Sequence, residues 1–143
     1  MTTDDFISEL RKWNLTKYKI INFAIGISAL IIYEFVGRPI YRPYIYHNKI
    51  DDFHIADTLG NTFGTLSTIF FLIAILSNEP TKGNYFIKLG TFSVVIFELA
   101  HPLLGKPIDI WDIIATIMTG LISYIIYNSI FKSRQLNENT RNR

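Results

Sequence analysis

Four long apolar runs dominate this chain of 143 residues and constrain what it can fold into. A helix that crosses a bilayer needs roughly 20 mainly apolar residues, within a range of about 17–25. The runs are Ile20–Val36, Thr58–Leu76, Tyr85–Leu104 and Ile110–Phe131. They predict four transmembrane helices. A soluble four-helix bundle is the alternative, because the first and third runs are short and contain charged residues.

Composition favours the membrane class and argues against several others. Charged residues make up 18% of the chain and hydrophobic residues 49%, whereas a soluble domain usually carries about a quarter charged residues. The chain has no cysteine, so disulfides and thiol chemistry are excluded. The net charge is only +2 and the basic residues form no stripe, so no nucleic-acid partner is expected. The polar, mixed-charge start lacks a signal-peptide pattern, and the first apolar run is expected to be retained.

Lysine and arginine are unequally divided between the two predicted sides of the membrane. Ten lie in the N-terminal segment, the middle loop region or the tail, and four lie in the other two connections. Those four are Arg38, Arg42, Lys49 and Lys106. Cytoplasmic segments carry the excess of positive charge. Both termini and the middle loop are therefore predicted to be cytoplasmic, and the connections after the first and third spans to face outward.

The two ends of the chain are predicted to differ in structure. Thr2–Trp13 is expected to form a short amphipathic helix, since Phe6, Leu10 and Trp13 share a helix face. It can lie on the cytoplasmic leaflet or pack against the end of the bundle. Residues 133–143 are polar and are predicted to be a disordered cytoplasmic tail. Residues 1–132 then form a single membrane domain.

One acidic motif occurs twice. Glu34 and Glu98 stand near the ends of the first and third runs, and Asp57 and Asp112 near the starts of the second and fourth. This arrangement indicates two parallel helical-hairpin repeats, over about 20–77 and 85–131. The predicted fold class is therefore all-α, an integral membrane four-helix bundle. The four carboxylates are expected about one helical turn inside the outer face.

The two aspartates also have a purely structural interpretation. Asp57 and Asp112 fall in the first turns of predicted helices, where a carboxylate meets free N–H groups and the positive end of the helix dipole. Asp109, three residues before Asp112, can be the capping residue itself. Capping alone would account for these aspartates.

The two glutamates are harder to explain by local structure. They are expected near helix C-termini, where the dipole disfavours negative charge. Glu34 can pair with Arg38 four residues later, and Glu98 with His101 three residues later. Such local ion pairs are one interpretation. The other is that both glutamates face a polar cavity, open to the outside, between the two halves.

The connection from Arg38 to His54 combines two Arg-Pro pairs with several tyrosines. Tyrosines anchor at headgroup depth and arginines bind phosphate, although an ordinary aromatic belt would look similar. Imidazole and carboxylate groups can also hold a divalent metal, but their spacing here matches no signature. The candidate ligands are His47, Asp51, Asp52, His54 and Asp57.

Small residues mark the second and fourth runs. Gly60 and Gly64 form a GxxxG pattern, and the fourth run carries a comparable set of small residues. That set is Ala115, Thr116, Thr119 and Gly120. Small residues let transmembrane helices approach closely. The pattern predicts that the second and fourth spans pack together.

Between Glu34 and about Tyr127 the chain resembles the VanZ-like family of small bacterial membrane proteins. That family has an acidic residue, a glutamine three further on, a Gly-Arg pair, two aspartates three apart, an asparagine and glycines. The residues that carry the resemblance are Glu98, His101, Gly105-Lys106, Asp109, Asp112, Thr116 and Gly120, with Asp57, Gly60, Asn61 and Gly64 earlier. His101, Lys106 and Thr116 replace the family's glutamine, arginine and asparagine. The resemblance implies a multi-span protein of the bacterial cytoplasmic (inner) membrane.

Three functions are consistent with these patterns. The first is binding of an anionic lipid or a lipid-linked envelope precursor near the outer leaflet, with arginine and lysine meeting phosphate. The second is an enzyme acting on a lipid-linked substrate, with a glutamate as general base and a divalent ion assisting. The third is a proton-coupled carrier, for which four spans would be few without an oligomer. The catalytic candidates are Glu34, Glu98, Asp57 and Asp112. The candidate ligand-binding residues are Glu34, Arg38, Arg42, His54, Asp57, Asn61, Glu98, His101, Lys106, Asp109 and Asp112.

Overall fold

A computed structural model describes the backbone of residues 14–141 and the side chains of residues 14–131. This part of the chain forms four long helices and no strand, so the all-α prediction is confirmed there. They are α1 (Lys17–Asn48), α2 (Ile55–Leu76), α3 (Gly83–Leu99) and α4 (Ile110–Arg141), with 3-10 turns at Pro80–Lys82 and His101–Leu104. The predicted helix at Thr2–Trp13 lies outside the described residues. α4 remains helical through Arg141, where the sequence predicted a disordered tail.

Three of the helices in the described part of the chain are long and apolar enough to cross a membrane. The segments are Lys17–Asn48, Ile55–Leu76 and Ile110–Phe131, with mean hydropathies of 1.9, 1.8 and 1.6. α3 has only 17 residues. At 1.5 Å per residue it is about 26 Å long, whereas the hydrocarbon core of a bilayer is about 30 Å thick. The length of α3 therefore does not by itself show that the third predicted span crosses the membrane.

α1 is much longer than the sequence predicted. Its hydrogen bonds widen to a π pattern over Tyr33–Tyr41, and an α-helix then continues over Arg42–Asn48. Pro39 lies inside the π segment. Proline has no N–H to donate, and a π segment can accommodate the missing bond without ending the helix. The predicted polar loop is therefore mostly helical. Glu34 lies in mid-helix, so the prediction that it stands at a helix C-terminus was wrong.

α1 and α2 pack against each other in opposite directions. Tyr18, near the start of α1, donates a hydrogen bond of 3.3 Å to Ser77, which directly follows α2. Farther along the pair, Ser67 Oγ donates to the carbonyl of Gly26 at 3.0 Å. A short connection between the helices makes this antiparallel arrangement the natural one.

α3 and α4 form a second antiparallel pair. Asn84, at the start of α3, shares a side-chain hydrogen bond with Asn128 in the later part of α4. Nearer the middle, Gly120 packs directly on Thr91, so closely that a Cβ at Gly120 would collide with the threonine hydroxyl. α2 lies beside both α3 and α4 and so connects the two pairs.

The best-packed apolar core lies at one end of the bundle, called here the core end. It contains the start of α1, the end of α2, the start of α3 and the later part of α4. Its buried members are Tyr18, Ile69, Phe70, Ile73, Phe86, Ile87, Tyr127 and Phe131. The hydroxyls of Tyr18 and Tyr127 are 2.7 Å apart, and Tyr127 also donates to the carbonyl of Pro80 at 2.6 Å. These bonds satisfy polar groups that burial would otherwise make costly.

Away from the core end, the helices bury small polar residues and expose large apolar ones. The buried polar set on α2 and α4 is Thr58, Thr65, Ser67, Thr116, Thr119 and Ser123. Large side chains such as Phe92, Leu121 and Ile125 point outward and are more than half exposed. A soluble helix normally presents the opposite arrangement, with its apolar stripe turned inward.

Candidate functional site

Most of the predicted site residues lie at the end opposite the core end, called here the site end. Arg42 stands just after the π segment of α1, and its Nη2 donates to the hydroxyl of Tyr46 at 3.3 Å. The guanidinium also lies over the Tyr46 ring, 5.8 Å from the centroid. Tyr46 in turn donates a hydrogen bond of 2.6 Å to Asp57 Oδ1 in the first turn of α2. This chain of contacts holds Arg42 beside a carboxylate.

A second tyrosine lies near the arginine. Tyr33, about two turns earlier on α1, lies within electrostatic range of Arg42. A guanidinium has five N–H donors, so donors remain for a further ligand after the bond to Tyr46 is made. Arg42 is half-buried and held in place, while its remaining donors can meet an anion.

His54 links this group to α4. Its Nδ1 lies 3.2 Å from Asp57 Oδ2, and its ring stacks on Trp111 with centroids 4.6 Å apart and planes at 19°. His54 and the preceding Phe53 both have positive φ values, 64° and 56°. Non-glycine residues rarely adopt this left-handed region, and such strain clusters at functional sites. We call Arg42, Tyr46, His54, Asp57 and Trp111 the Arg42 cluster.

Glu98 and His101 form a buried pair at the C-terminal end of α3. His101 Nδ1 lies 3.1 Å from Glu98 Oε2, and the two side chains are 16% and 6% exposed. The contact is close but lacks hydrogen-bond geometry, and Oε2 has no hydrogen-bond partner among the described residues. The position of Glu98 at the helix C-terminus agrees with the prediction. A carboxylate this buried and this poorly satisfied is costly, which is typical of functional groups.

Asp112 connects the Glu98 pair to the Arg42 cluster. It lies in the first turn of α4 and is half-buried. Glu98 lies within electrostatic range of Asp112, and Asp112 within range of Asp57 and His101. Three of the four predicted carboxylates therefore lie at the site end, with Asp112 in electrostatic range of the other two.

Asn61 on α2 fixes the start of α4. Its Nδ2 donates to the backbone carbonyl of Asp112 at 2.7 Å and to Thr116 Oγ1 at 2.9 Å. Thr116 is completely buried. The amide therefore bridges two helices and positions Asp112 relative to Asp57.

Glu34 does not join this group. It pairs with Arg38 at 3.4 Å on the outer face of α1, and the two side chains are 51% and 66% exposed. This is the local ion pair that the spacing allowed. Glu34 and Glu98 occupy corresponding places in the sequence motif, yet only Glu98 is buried. The two halves are thus not equivalent at the site.

Asp109 acts as a cap, as its spacing indicated. Its Oδ1 accepts a hydrogen bond of 2.9 Å from the backbone N–H of Trp111 at the start of α4. It also lies within electrostatic range of Glu98, as does the exposed Lys106. Both border the Glu98 pair.

The five residues considered as metal ligands do not assemble. Asp52 Oδ2 instead accepts from the N–H of Ala56 at 2.8 Å and from the Tyr41 hydroxyl at 3.1 Å. Asp51 accepts from the N–H of Phe53 at 3.1 Å. Among the described residues, no group of three or more His, Asp or Glu side chains is arranged to hold a metal ion.

The small-residue pattern works differently from its prediction. α2 and α4 do pack together, and Asn61 joins them by its bond to Thr116, but the two glycines of α2 are not shown to make that contact. A Cβ at Gly60 would lie 2.8 Å from the hydroxyl of Tyr33 on α1, and a Cβ at Gly64 would meet nothing within 4 Å. Gly60 therefore makes room for an α1 side chain, and Gly64 contributes no close contact.

Sequence reasoning missed Tyr46, Tyr33 and Trp111 as site residues. The tyrosines were visible only as part of a general aromatic belt. Trp111 lay between two aspartates and showed no spacing that linked it to His54, because that contact joins different helices.

Comparison of the chain with protein-family models, with curated proteins and with solved structures gives no match.

Proposed function

We propose that this chain is an integral membrane protein in which all four helices cross the bilayer as two tandem hairpins. The support is the distribution of side chains: large apolar residues cover the outside, and small polar residues fill much of the inside. In lipid there is no hydrophobic gain from burying apolar side chains, and helices associate through small and polar residues instead. The observed arrangement suits that environment better than water.

In this proposal the site end faces outward and both termini are cytoplasmic. The core end and the two terminal segments together carry ten of the fourteen lysines and arginines. Positive charge is retained on the cytoplasmic side. The VanZ-like resemblance suggests the cytoplasmic membrane of a bacterium.

We infer that the Arg42 cluster binds the phosphate of an anionic lipid, or of a lipid-linked envelope precursor, at the outer leaflet. The observation that carries this is that Arg42 is half-buried and its guanidinium is held by the hydroxyl and ring of Tyr46, with donors to spare. Charge-assisted bonds from arginine to phosphate are among the strong ones. Arg38 lies one turn earlier and is exposed, and it supplies a second cation near the same surface.

The surroundings of Arg42 match headgroup depth. Tyr44 and Tyr46 on the last part of α1 are exposed, and Ile40 and Ile50 expose apolar surface beside them. Amphipathic aromatic rings concentrate at the membrane–water interface. A phosphate at this depth would meet Arg42 without entering the hydrocarbon core.

Lipid co-purification tests this function. Full-length protein carrying Arg38→Gln and Arg42→Gln together is expected to retain less anionic lipid than the unaltered protein. The matched control is Lys17→Gln, which removes an exposed cation at the core end. Unchanged anionic lipid in the double variant would contradict the proposal.

Catalysis on a lipid-linked substrate is a second candidate, favoured by the Glu98–His101 pair. A buried carboxylate beside an imidazole can act as a general base. Glu98→Gln is then expected to abolish turnover of a lipid-linked phosphate substrate, whereas Glu34→Gln, on the exposed face, leaves it intact. Turnover that survives Glu98→Gln would exclude this role.

A further inference from the structure

A groove runs between α3 and α4 on the outer surface of the bundle, with a volume of about 630 Å³. Its walls include Ile87, Phe92 and Val95 from α3 and Ile117 and Leu121 from α4. Its apolar length from Ile87 to Val95 is about 12 Å at 1.5 Å per residue. The volume lies within the range of about 300–1,000 Å³ that is usual for small-molecule sites.

The groove belongs to neither of the clusters at the site end. Lys88, on the second turn of α3, lines the groove at the end nearer the core end. Lys88 is exposed, and it has no ion pair or hydrogen bond to any residue in the described part of the chain. It is the one charged residue among those lining this groove.

An unpaired lysine beside an apolar groove specifies the chemistry of an occupant. A lysine within a membrane helix extends its stem along apolar surface and places its ammonium toward the headgroups. There it attracts a negative group, and the cytoplasmic leaflet is the one rich in anionic lipids. A phospholipid has both parts: an acyl chain that can lie in the apolar groove and a phosphate that can pair with the ammonium of Lys88.

We propose that this groove binds one anionic phospholipid from the cytoplasmic leaflet. One acyl chain lies between Phe92 and Leu121, and the phosphate meets the ammonium of Lys88. The site rests on two parts of the proposed function, the insertion of the bundle in a membrane and the cytoplasmic position of the core end. Its ligand comes from the opposite leaflet, and its residues are separate from the Arg42 cluster.

Native mass spectrometry of the full-length protein, released from detergent after titration with phosphatidylglycerol or phosphatidylcholine, tests this site. Lys88→Gln is expected to weaken binding of one phosphatidylglycerol by about fivefold, the factor for one lysine near an anionic surface. It should leave phosphatidylcholine binding unchanged. Lys17→Gln, an exposed cation at the same end but outside the groove, should behave as the unaltered protein. Equal phosphatidylglycerol binding in Lys88→Gln and Lys17→Gln would overturn the proposal.

A second variant tests the groove itself. Leu121→Trp places a larger side chain on an exposed position of the groove wall and is expected to reduce binding of both lipids. Its thermal unfolding, compared with that of the unaltered protein, shows whether the fold is retained. Full binding in a folded Leu121→Trp protein, or a dimer that excludes lipid from the groove, would overturn the proposal.

The same titration separates this site from the outer one. Arg42→Gln should lose a different bound phosphatidylglycerol, so the double variant with Lys88→Gln should lose both. If Lys88→Gln loses a bound phosphatidylglycerol and Arg42→Gln does not, the groove site is supported and the outer site is contradicted. If Arg42→Gln loses a bound phosphatidylglycerol and Lys88→Gln does not, the groove site is contradicted and the outer site is supported.

Discussion

Tyr46 on the extension of α1 and Asp57 in the first turn of α2 are joined by a hydrogen bond of 2.6 Å, although the chain reverses direction between them. Tyr46 also accepts a hydrogen bond from Arg42. The tyrosine hydroxyl therefore fixes the guanidinium of Arg42 relative to the carboxylate of Asp57. The π segment allows this by carrying the helix past Pro39 to Tyr46. The arginine is thus oriented before any ligand arrives, which lowers the entropy cost of binding.

Replacing Tyr46 with phenylalanine should therefore weaken phosphate binding without removing a charge. The variant loses two hydrogen bonds, each worth about 0.5–1.5 kcal/mol, and the guanidinium loses one of its supports. Lipid affinity and thermal unfolding in detergent should both fall. Tyr44→Phe is the matched control, since Tyr44 is an exposed tyrosine two residues earlier on the same helix. Equal losses in the two variants would show that the hydroxyl of Tyr46 has no special role.

Asn61→Ala should destabilise the protein by about 1–3 kcal/mol, because it leaves buried acceptors on α4 without their donor. The free energy of unfolding can be measured by denaturant titration in micelles. Asn48→Ala is the control, since within the described part of the chain the Asn48 amide bonds to the carbonyl of Tyr44 on its own helix and to nothing on another helix. A cost for Asn61→Ala no larger than for Asn48→Ala would argue against the bridge between α2 and α4.

The two glycines of α2 should respond differently to alanine. Gly64→Ala should stabilise the protein by about 0.5–1 kcal/mol, the usual gain inside a helix, because its Cβ meets nothing within 4 Å. Gly60→Ala should not raise the stability in this way, and it should weaken lipid binding. Its Cβ would displace Tyr33, which lies near Arg42. Thermal unfolding of both variants checks this. A destabilised Gly64→Ala protein that also loses its oligomeric state would place Gly64 in a helix–helix interface instead.

Single cysteines report which helices cross the membrane, and the chain offers a background without cysteine. Tyr44→Cys and Leu103→Cys, at exposed positions of the site end, should react with a membrane-impermeant maleimide in intact cells. Thr81→Cys, in the turn before α3, should react only after permeabilisation. Labelling of Leu103→Cys and Thr81→Cys under the same condition would show that α3 does not span.

Features of this fold that depend on residues close together in the sequence could be predicted, and features that depend on contacts between helices could not. The apolar runs and the capping role of Asp109 depend on neighbours a few residues away. The structure agrees for Asp109 and for three of the four runs. The end of α1 was mispredicted because Arg-Pro pairs usually end a helix, whereas a π segment continued it. The burial of Glu98 and the exposure of Glu34 could not be predicted. That difference arises from packing between helices, which two similar local motifs do not reveal.

The central claim is that Arg42 binds the phosphate of an outer-leaflet lipid, and equilibrium titration with phosphatidic acid tests it most directly. The measurement is made in a Lys88→Gln background, so that the groove between α3 and α4 contributes little. Adding Arg42→Gln should raise the dissociation constant about tenfold or more, as expected for loss of a charge-assisted bond. Adding Lys17→Gln should leave it unchanged. Equal dissociation constants for all three proteins would contradict the claim.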